Sequence, residues 1–178
     1  MNARNRRYIN SSISWLADDK LATKELLKKA NIPVSKTILI IKNKPEINSL
    51  EESNLPNSFV LKPNRGFGGE GIMIVYGRKK KSNHWIKANG QTITLEEIKK
   101  HCQNIIDGSY SLHNARDKAF FEERIKMDPF VKHYSFQGVP DIRVIVYNKV
   151  PIMAMLRLPT KRSRGRSNVH QGGIGVGI

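Results

Sequence analysis

Apolar residues near the start of the chain recur at helical spacing and are then followed by a continuous run. Those between residues 20 and 30 follow Asp18 and Asp19, either of which can cap a helix, so the pattern predicts a helix over this range. The β-branched run over 37–41 predicts a buried strand. A further short helix is expected over 46–53.

The middle of the chain predicts strands joined by turns. Residues 58–62 and 72–76 are predicted strands on either side of a glycine-rich loop. Residues 85–87 and 91–94 can pair as a hairpin around Asn89-Gly90, a dipeptide that favours tight turns. The segment is therefore expected to form antiparallel structure.

The clearest helical signal starts at Thr94. Thr94 and Glu97 have the spacing of a capping box, and apolar residues recur at helical spacing up to Asp107-Gly108, where the helix is expected to end. A polar connection follows over 109–118, and a strand is predicted over 119–125.

Two long alternating runs dominate the last part of the chain. Residues 141–147 and 150–158 are predicted strands joined at Asn148-Lys149, and 159–178 is expected to be a basic, glycine-rich loop. Helices and strands are interleaved, and successive strands look joined by hairpins. We therefore predict an α+β fold with antiparallel sheets.

Composition narrows the class of protein. The chain has 178 residues, of which 39% are hydrophobic, and no run approaches the roughly 18–20 apolar residues that span a bilayer. The N-terminus is basic but lacks the apolar segment of a secretion signal, and Cys102 is the single cysteine. We therefore expect a soluble cytoplasmic protein that does not contact a membrane.

The charge is strongly positive, with 31 Lys and Arg against 15 Asp and Glu. Such an excess attracts polyanions such as nucleotides, nucleic acids or anionic lipid surfaces. Compositional drift explains the same excess, because the chain is rich in Lys, Asn and Ile throughout. Both explanations stay open at this point.

The glycine-rich loop carries the strongest chemical signal. Glycines occupy four of the six positions 66–71, so the backbone can approach a ligand and point several N–H groups at one anion. A strand is predicted after the loop, whereas P-loops and Rossmann fingerprints are followed by a helix. Lys62, at the end of the incoming strand, can contact a phosphate; the alternative is a solvated lysine before an ordinary hairpin.

Several motifs together resemble one family. Lys62-Pro63 followed by 66–71 resembles the phosphate flap of ATP-grasp enzymes. Four further segments match the same family, namely 19–24, 138–146, 151–160 and 166–173. With them, the chain is similar over nearly its whole length to the alpha-L-glutamate ligase-related ATP-grasp proteins, relatives of bacterial ligases that add glutamate to a ribosomal protein.

The resemblance implies two α+β lobes with antiparallel sheets around an ATP cleft. The expected lobes are 36–118, which carries the flap, and 119–178, within a single ATP-grasp unit 1–178 that is incomplete at its C-terminus. The implied reaction transfers the γ-phosphoryl group of ATP to a carboxylate, and an amine then attacks the acylphosphate. The carboxylate and amine substrates are not identified.

The resemblance also implies site residues. The implied catalytic residues are Arg157, Arg166 and Asn168. The implied ATP-binding residues are Lys62, Gly66, Gly68, Gly69, Gly71, Glu123, Arg124, Ile125, Asp141, Arg143 and Ser167. For two of these a role outside the site stays open: Arg143 as an exposed strand residue, and Glu123 as an ordinary surface carboxylate.

Family members hold Mg²⁺ with acidic residues and an asparagine, and these are expected beyond Ile178. We therefore expect no metal ligands in this chain, weak ATP binding and little turnover by these residues alone. The alternatives are a degenerate ATP-grasp protein and a non-catalytic basic module that binds nucleotide or nucleic acid. Nucleic acid is not favoured, because aromatic residues make up only 7% of the chain and no nucleic-acid motif is present.

Overall fold

A computed structural model describes residues 14–79 and 82–178. The described residues divide into two compact units, the first ending at Ile125 and the second comprising 126–178. No helix in the described part of the chain is long and apolar enough to cross a membrane.

The first unit is built on a six-stranded sheet in which every pair of neighbouring strands is antiparallel. Its strands are β1 (Thr37–Ile41), β2 (Phe59–Pro63), β3 (Met73–Arg78), β4 (Trp85–Lys87), β5 (Thr92–Ile93) and β6 (Ala119–Glu122). Their spatial order is β1-β6-β2-β3-β4-β5. The strand β6, at the start of the predicted second lobe, is hydrogen-bonded between β1 and β2.

Four helices accompany this sheet: α1 (Ser14–Asp18), α2 (Lys20–Lys29), α3 (Lys44–Asn48) and α4 (Leu95–Ile106). The Asp19 side chain accepts a hydrogen bond from Ala22 N and so caps α2, as predicted. Thr94 and Glu97 form the predicted capping box of α4. Local sequence thus explains where these two helices begin.

The helix expected over 46–53 is wrong in its bounds. The structure has α3 at Lys44–Asn48 and a separate 3₁₀ turn at Glu52–Asn54. Asn43 caps α3 by accepting from Glu46 N, and Pro45 in the first turn suits a helix start. These start signals lie ahead of the range for which the helix was predicted.

The core of the first unit lies between one face of the sheet and helix α4. The Phe59 ring packs edge to face against Trp85 and Phe121, with centroid distances of 6.2 and 5.3 Å. From α4, Ile98 and Cys102 are fully buried in the same cluster. Burying these aromatic and aliphatic side chains supplies the main stabilisation of the unit.

The second unit contains a three-stranded antiparallel sheet in the order β7-β8-β9. The strands β7 (Asp141–Tyr147) and β8 (Val150–Leu158) have the predicted bounds. The expectation of a loop over 159–178 is wrong, because this segment contains a 3₁₀ turn at Val169–Gln171 and a strand β9 (Ile174–Gly177). A short helix α5 (Pro129–Lys132) precedes the sheet.

Candidate functional site

Strand alternation gives the sheet of the first unit two chemically different faces. Lys62 on β2 lies opposite Phe120 on β6, and Val60 lies opposite Glu122. Directly opposed residues of an antiparallel pair point to the same side, so these four side chains share the face away from the aromatic core. A cation and a carboxylate therefore stand on a sheet face that is otherwise apolar at these positions.

Glu122 is the centre of a buried polar network. Its Oε2 accepts hydrogen bonds from Lys24 Nζ at 2.7 Å and from Ser35 Oγ at 2.8 Å, while Oε1 pairs with Lys62 Nζ. Glu122 is only 4% exposed and Lys24 only 8%. One carboxylate thus faces two ammonium groups, which leaves an excess of positive charge in this region.

The network sets the ionisation of Glu122. Burial alone would raise the pKa of this carboxyl, but hydrogen bonds from Lys24 and Lys62 outweigh burial and hold the pKa below its ordinary value. Glu122 is therefore a stable anion at neutral pH. Its role is to fix the positions of the two lysines.

Lys20 brings a third cation to the same region. Its Nζ donates to the backbone carbonyl oxygens of Asn64 at 3.1 Å and Gly66 at 2.6 Å, which joins helix α2 to the start of the glycine-rich loop. Burial, with repulsion from Lys62 as a smaller cause, lowers the pKa of Lys20, although nearby carboxylates oppose that change. Lys20 and Lys24 are one helical turn apart and so occupy the same side of α2.

These side chains line a cavity of about 400 Å³ within the first unit. The charged groups on its wall are three lysines and one glutamate, so the wall has a net positive charge. The polar lining residues are Lys20, Thr23, Lys24, Ser35, Lys62 and Glu122. The apolar lining residues are Ala17, Pro33, Val34, Phe120 and Ile125. A cationic end beside an apolar wall is suited to an anion attached to a flat or apolar group.

The predicted glycine loop connects β2 and β3, two antiparallel neighbours, so the predicted strand–loop–strand arrangement is confirmed. Gly66 pairs with Ser111 in an isolated β-bridge at the base of the loop. Gly68 and Gly69 have φ of 61° and 78°, in the left-handed region that favours glycine. Glycines 66, 68, 69 and 71 therefore all lie in or at the base of one tight flap.

The far end of the flap rests on α4 and the segment after it. The backbone oxygen of Gly71 is 2.8 Å from His101 Nε2, and a Cβ at Gly71 would lie 2.6 Å from the Tyr110 ring. Burial lowers the pKa of His101, so its imidazole is neutral at pH 7. A neutral His101 that donates a hydrogen bond from Nε2 to Gly71 O fixes the position of this end of the flap.

Three of the predicted ATP-binding residues, at positions 123–125, have different surroundings. Ile125 lines the cavity and is 61% exposed. The Arg124 guanidinium carbon lies 4.5 Å from the centroid of the Tyr76 ring, and its buried Nε has no hydrogen-bond partner among the described residues. Glu123 is exposed, and its backbone N–H donates to Lys36 O at 2.8 Å. The assignment of these residues to a nucleotide stays a prediction.

In the second unit, three predicted site residues come together. Arg157 donates to Asp141 through two parallel hydrogen bonds, Nε to Oδ1 at 2.6 Å and a terminal nitrogen to Oδ2 at 2.8 Å. The other terminal nitrogen of Arg157 is 3.3 Å from Asn168 Oδ1. The strand register places Asp141 directly opposite Arg157, which explains the two-bond geometry. We call these three residues the Arg157 cluster.

The remaining predicted residues of the second unit lie near this cluster in the chain. Arg143 is exposed and, two residues after Asp141 on β7, shares its sheet face. The Ser167 hydroxyl donates to Val139 O at 2.9 Å, and an Arg166 terminal nitrogen is 3.5 Å from Gln171 Oε1. Ser167 therefore has a structural contact of its own, while Arg166 presents its charge at the surface.

Sequence reasoning missed three charged residues of the cavity, namely Lys20, Lys24 and Glu122. The spacing of the two lysines, four positions apart in the predicted helix, was available as a signal. Glu122 is the last residue of a strand that is buried on both faces, and Glu123 follows it, so alternation could not show which of the two is buried.

Comparison with known proteins gives one match. A family model described as "Sugar-transfer associated ATP-grasp" matches residues 2–178. No match was found among curated proteins or among solved structures. The resemblance to ATP-grasp proteins is therefore confirmed, and the narrower relation to glutamate ligases is not shown by this match.

Proposed function

The chain belongs to the sugar-transfer associated ATP-grasp family, and from this membership we propose that it is an ATP-dependent ligase that joins a carboxylate to an amine. The family is consistent with ATP binding and ligase-type chemistry in general. The finer assignment, a carbon–nitrogen bond formed through an acylphosphate, is supported by the cationic cavity of the first unit and by the Arg157 cluster of the second.

The observation that carries the proposal is the cationic cavity of the first unit. Lys20, Lys24 and Lys62 line it with only one carboxylate, Glu122, on its wall. The positive charge favours a phosphate chain, and the apolar lining favours the base of a nucleotide. Lys62 and Lys20 are assigned to the phosphates, since Lys24 is buried against Glu122 and Ser35.

The proposed reaction has two steps that balance. An oxygen of the substrate carboxylate attacks the γ-phosphorus of ATP, the bond to the β-phosphate oxygen breaks, and ADP leaves. The nitrogen of the amine then attacks the acyl carbon, the C–O bond to phosphate breaks, and the amine nitrogen loses a proton. Positioning and neutralisation of charge supply most of the catalysis of such a transfer, which is work that lysine and arginine side chains do.

The Arg157 cluster supplies groups of the kind the second step needs. Two bonds to Asp141 fix the plane of the Arg157 guanidinium, which leaves its remaining terminal nitrogen directed at Asn168. A fixed cation beside an amide can stabilise charge on a phosphoryl or acylphosphate oxygen. We assign Arg157, Asn168 and the exposed Arg166 to that role.

No magnesium site is assigned to the described part of the chain. Within residues 14–79 and 82–178, no group of three or more His, Cys, Asp or Glu side chains is placed to hold a metal ion. Magnesium enters the proposal only as the ion that ATP carries in solution, and no step is derived through it.

The substrates are assigned by class. The resemblance to glutamate ligase-related proteins supports an amino acid as the amine. The family description names sugar transfer without naming a substrate, and we propose on that basis that the other substrate is a sugar derivative. These two indications are compatible, because a sugar acid and an amino acid can be joined by an amide bond. Product analysis with glutamate and other amino acids tests this finer statement.

The proposal is tested by calorimetric titration of magnesium–ATP into the chain. We expect ATP to bind more tightly than GTP. We expect Lys62→Ala to weaken ATP binding roughly tenfold or more, because a charge-assisted contact to phosphate is removed. The matched control is Lys29→Ala, which removes the same positive charge at an exposed position of α2. This variant should bind ATP like the natural chain. Equal affinities for ATP in all three chains would overturn the assignment of the cavity.

A further inference from the structure

The charge of the chain is distributed unevenly at its end. The segment 142–178 contains seven Lys and Arg and no Asp or Glu. One of the seven, Arg157, is neutralised by Asp141. Three others fall within four consecutive positions, Lys161, Arg162 and Arg164, and surround the buried Ser163.

These three cations stand on one constrained turn, 160–165, which we call the basic turn. Arg164 N donates to Lys161 O at 3.1 Å, which closes a β-turn and brings the two Cα atoms within about 7 Å. Thr160 and Ser163 bond reciprocally: Thr160 N donates to Ser163 Oγ at 2.9 Å, and Ser163 N to Thr160 Oγ1 at 3.1 Å. The cations therefore emerge from a small, fixed base.

The basic turn is held against the rest of the second unit. The Thr160 hydroxyl donates to Gly172 O at 2.7 Å, and the stem of Arg162 packs so close to Gly172 that a Cβ there would lie 2.9 Å from Arg162 Cγ. A Cβ at Gly138 would lie 1.9 Å from Gly165 O, so the opposite side of the turn is in close contact as well. The backbone of the turn therefore loses little entropy when a ligand binds.

The three positive charges of the basic turn form no ion pair with a carboxylate in the described part of the chain. Across residues 14–79 and 82–178, no carboxylate lies within 4.0 Å of the charged nitrogens of Lys161, Arg162 or Arg164, and all three side chains are exposed. The turn is also continuous with the Arg157 cluster, because Arg166 N donates to Ser163 O at 3.1 Å and Asn168 follows two residues later.

From this arrangement we propose that the basic turn binds a phosphate or diphosphate group of the substrate that receives the new bond. The inference rests on the proposed ligase function, since it assigns the anion to a second substrate. Two guanidinium groups and one ammonium group on a single β-turn are groups that donate to the oxygens of phosphates. The footprint is that of a small phosphorylated molecule, and 159–178 has no Phe, Tyr or Trp on which bases of a nucleic acid could stack.

The test uses inorganic pyrophosphate as the probe, titrated by calorimetry at low salt. We expect the triple variant Lys161→Gln, Arg162→Gln, Arg164→Gln to bind pyrophosphate roughly tenfold more weakly than the natural chain. The same loss is expected in a Lys62→Ala background, where the cavity of the first unit cannot hold the probe in the same way. Arg164→Gln alone, at an exposed position, should lose about threefold and repeats the test without touching the stem of Arg162.

The matched control removes three exposed lysines of the first unit, Lys29→Gln, Lys44→Gln and Lys100→Gln. It should keep pyrophosphate affinity within about twofold, because distant surface charges are screened. Equal losses in the control and the turn variant overturn the proposal, as does a loss that disappears in the Lys62→Ala background. A single-stranded oligonucleotide that loses more affinity than pyrophosphate in the turn variant would replace it with a nucleic-acid surface.

Failure of this inference and failure of the ligase proposal give different results. The turn variant is expected to bind magnesium–ATP as the natural chain does, because Lys20 and Lys62 are unchanged. ATP binding without a turn-dependent pyrophosphate site overturns only the inference. A turn-dependent pyrophosphate site in a chain that does not bind ATP overturns the ligase proposal and, with it, the assignment of the anion to a second substrate.

Discussion

Lys24 Nζ donates a 2.7 Å hydrogen bond to Glu122 Oε2, and both side chains are almost completely buried. The two residues are 98 positions apart in the chain, so this contact ties helix α2 to the strand β6. Ser35 bonds to the same carboxylate oxygen and to Lys24, which satisfies groups that would otherwise be buried without partners. A buried ion pair of this kind is costly to break from one side.

Glu122→Gln is expected to destabilise the first unit strongly. The change leaves the Lys24 ammonium buried without its counter-ion, and breaking a buried pair from one side costs about 3–5 kcal/mol. Urea unfolding followed by tryptophan fluorescence measures the change in the free energy of unfolding, since Trp85 is fully buried in the core of this unit.

The double variant Lys24→Met, Glu122→Gln is the control for this interpretation. Removing both charges eliminates the unpaired ammonium, so the double variant is expected to be more stable than Glu122→Gln alone. If the two changes simply add, Glu122 does not act through Lys24 and the account of the pair is wrong.

The stability of the chain should fall in acid partly because of Glu122. The pKa of Glu122 in the folded state is lower than its ordinary value of 4.5, which applies to the unfolded chain. The ionised carboxylate therefore contributes its full stabilisation above pH 4.5, and this stabilisation is lost as the pH falls through the lower folded pKa. We therefore expect the stability difference between the natural chain and Glu122→Gln to shrink below pH 4.5. Urea unfolding at several pH values measures it; a constant difference would contradict the assigned charge of Glu122.

Features determined by neighbours in the chain could be predicted from sequence. The capping box of Thr94 and Glu97, the strands β7 and β8, and the flap after Lys62 each depend on residues a few positions apart. Their signals are local, since caps, alternation and glycine turns act through adjacent backbone groups.

Features that depend on residues distant in the chain could not be predicted from the sequence. The strand β9 has glycine at 175 and 177, which weakens any strand signal, and it forms because β8 supplies its hydrogen-bond partners. Lys24 and Glu122 meet only because α2 covers the sheet face that carries Phe120, and the Lys24 ammonium lies 5.5 Å from that ring. The ATP-grasp family was recognised from motifs, whereas this network required the tertiary structure.

The Cys102 thiol is expected to be unreactive in the folded chain. Cys102 is completely buried on α4, and burial raises its pKa to about 12, so the reactive thiolate is almost absent at neutral pH. Labelling with a chromogenic disulfide reagent should be at least about 100-fold slower in native buffer than in denaturing urea. Fast labelling without urea would show that α4 opens locally or that the core is not packed as described.

Gly71→Ala is expected to be much more harmful than Gly69→Ala, although both glycines have positive φ, of 70° and 78°. Alanine at 69 meets no atom within 4 Å and carries only the strain of a left-handed backbone, about 1 kcal/mol. Alanine at 71 carries the same strain and also places its Cβ 2.6 Å from the Tyr110 ring, so the flap or Tyr110 must move.

The two variants are compared by urea unfolding and by ATP titration, with Gly69→Ala as the matched control for backbone strain. Tyr110→Ala added to Gly71→Ala should recover part of the flap's function, because the space occupied by the ring becomes free for the new methyl group. Displacement of the flap should lower ATP affinity in Gly71→Ala more than stability alone explains. Equal effects of Gly69→Ala and Gly71→Ala would mean that the contact with Tyr110 does not position the flap, and that backbone conformation alone accounts for the glycines.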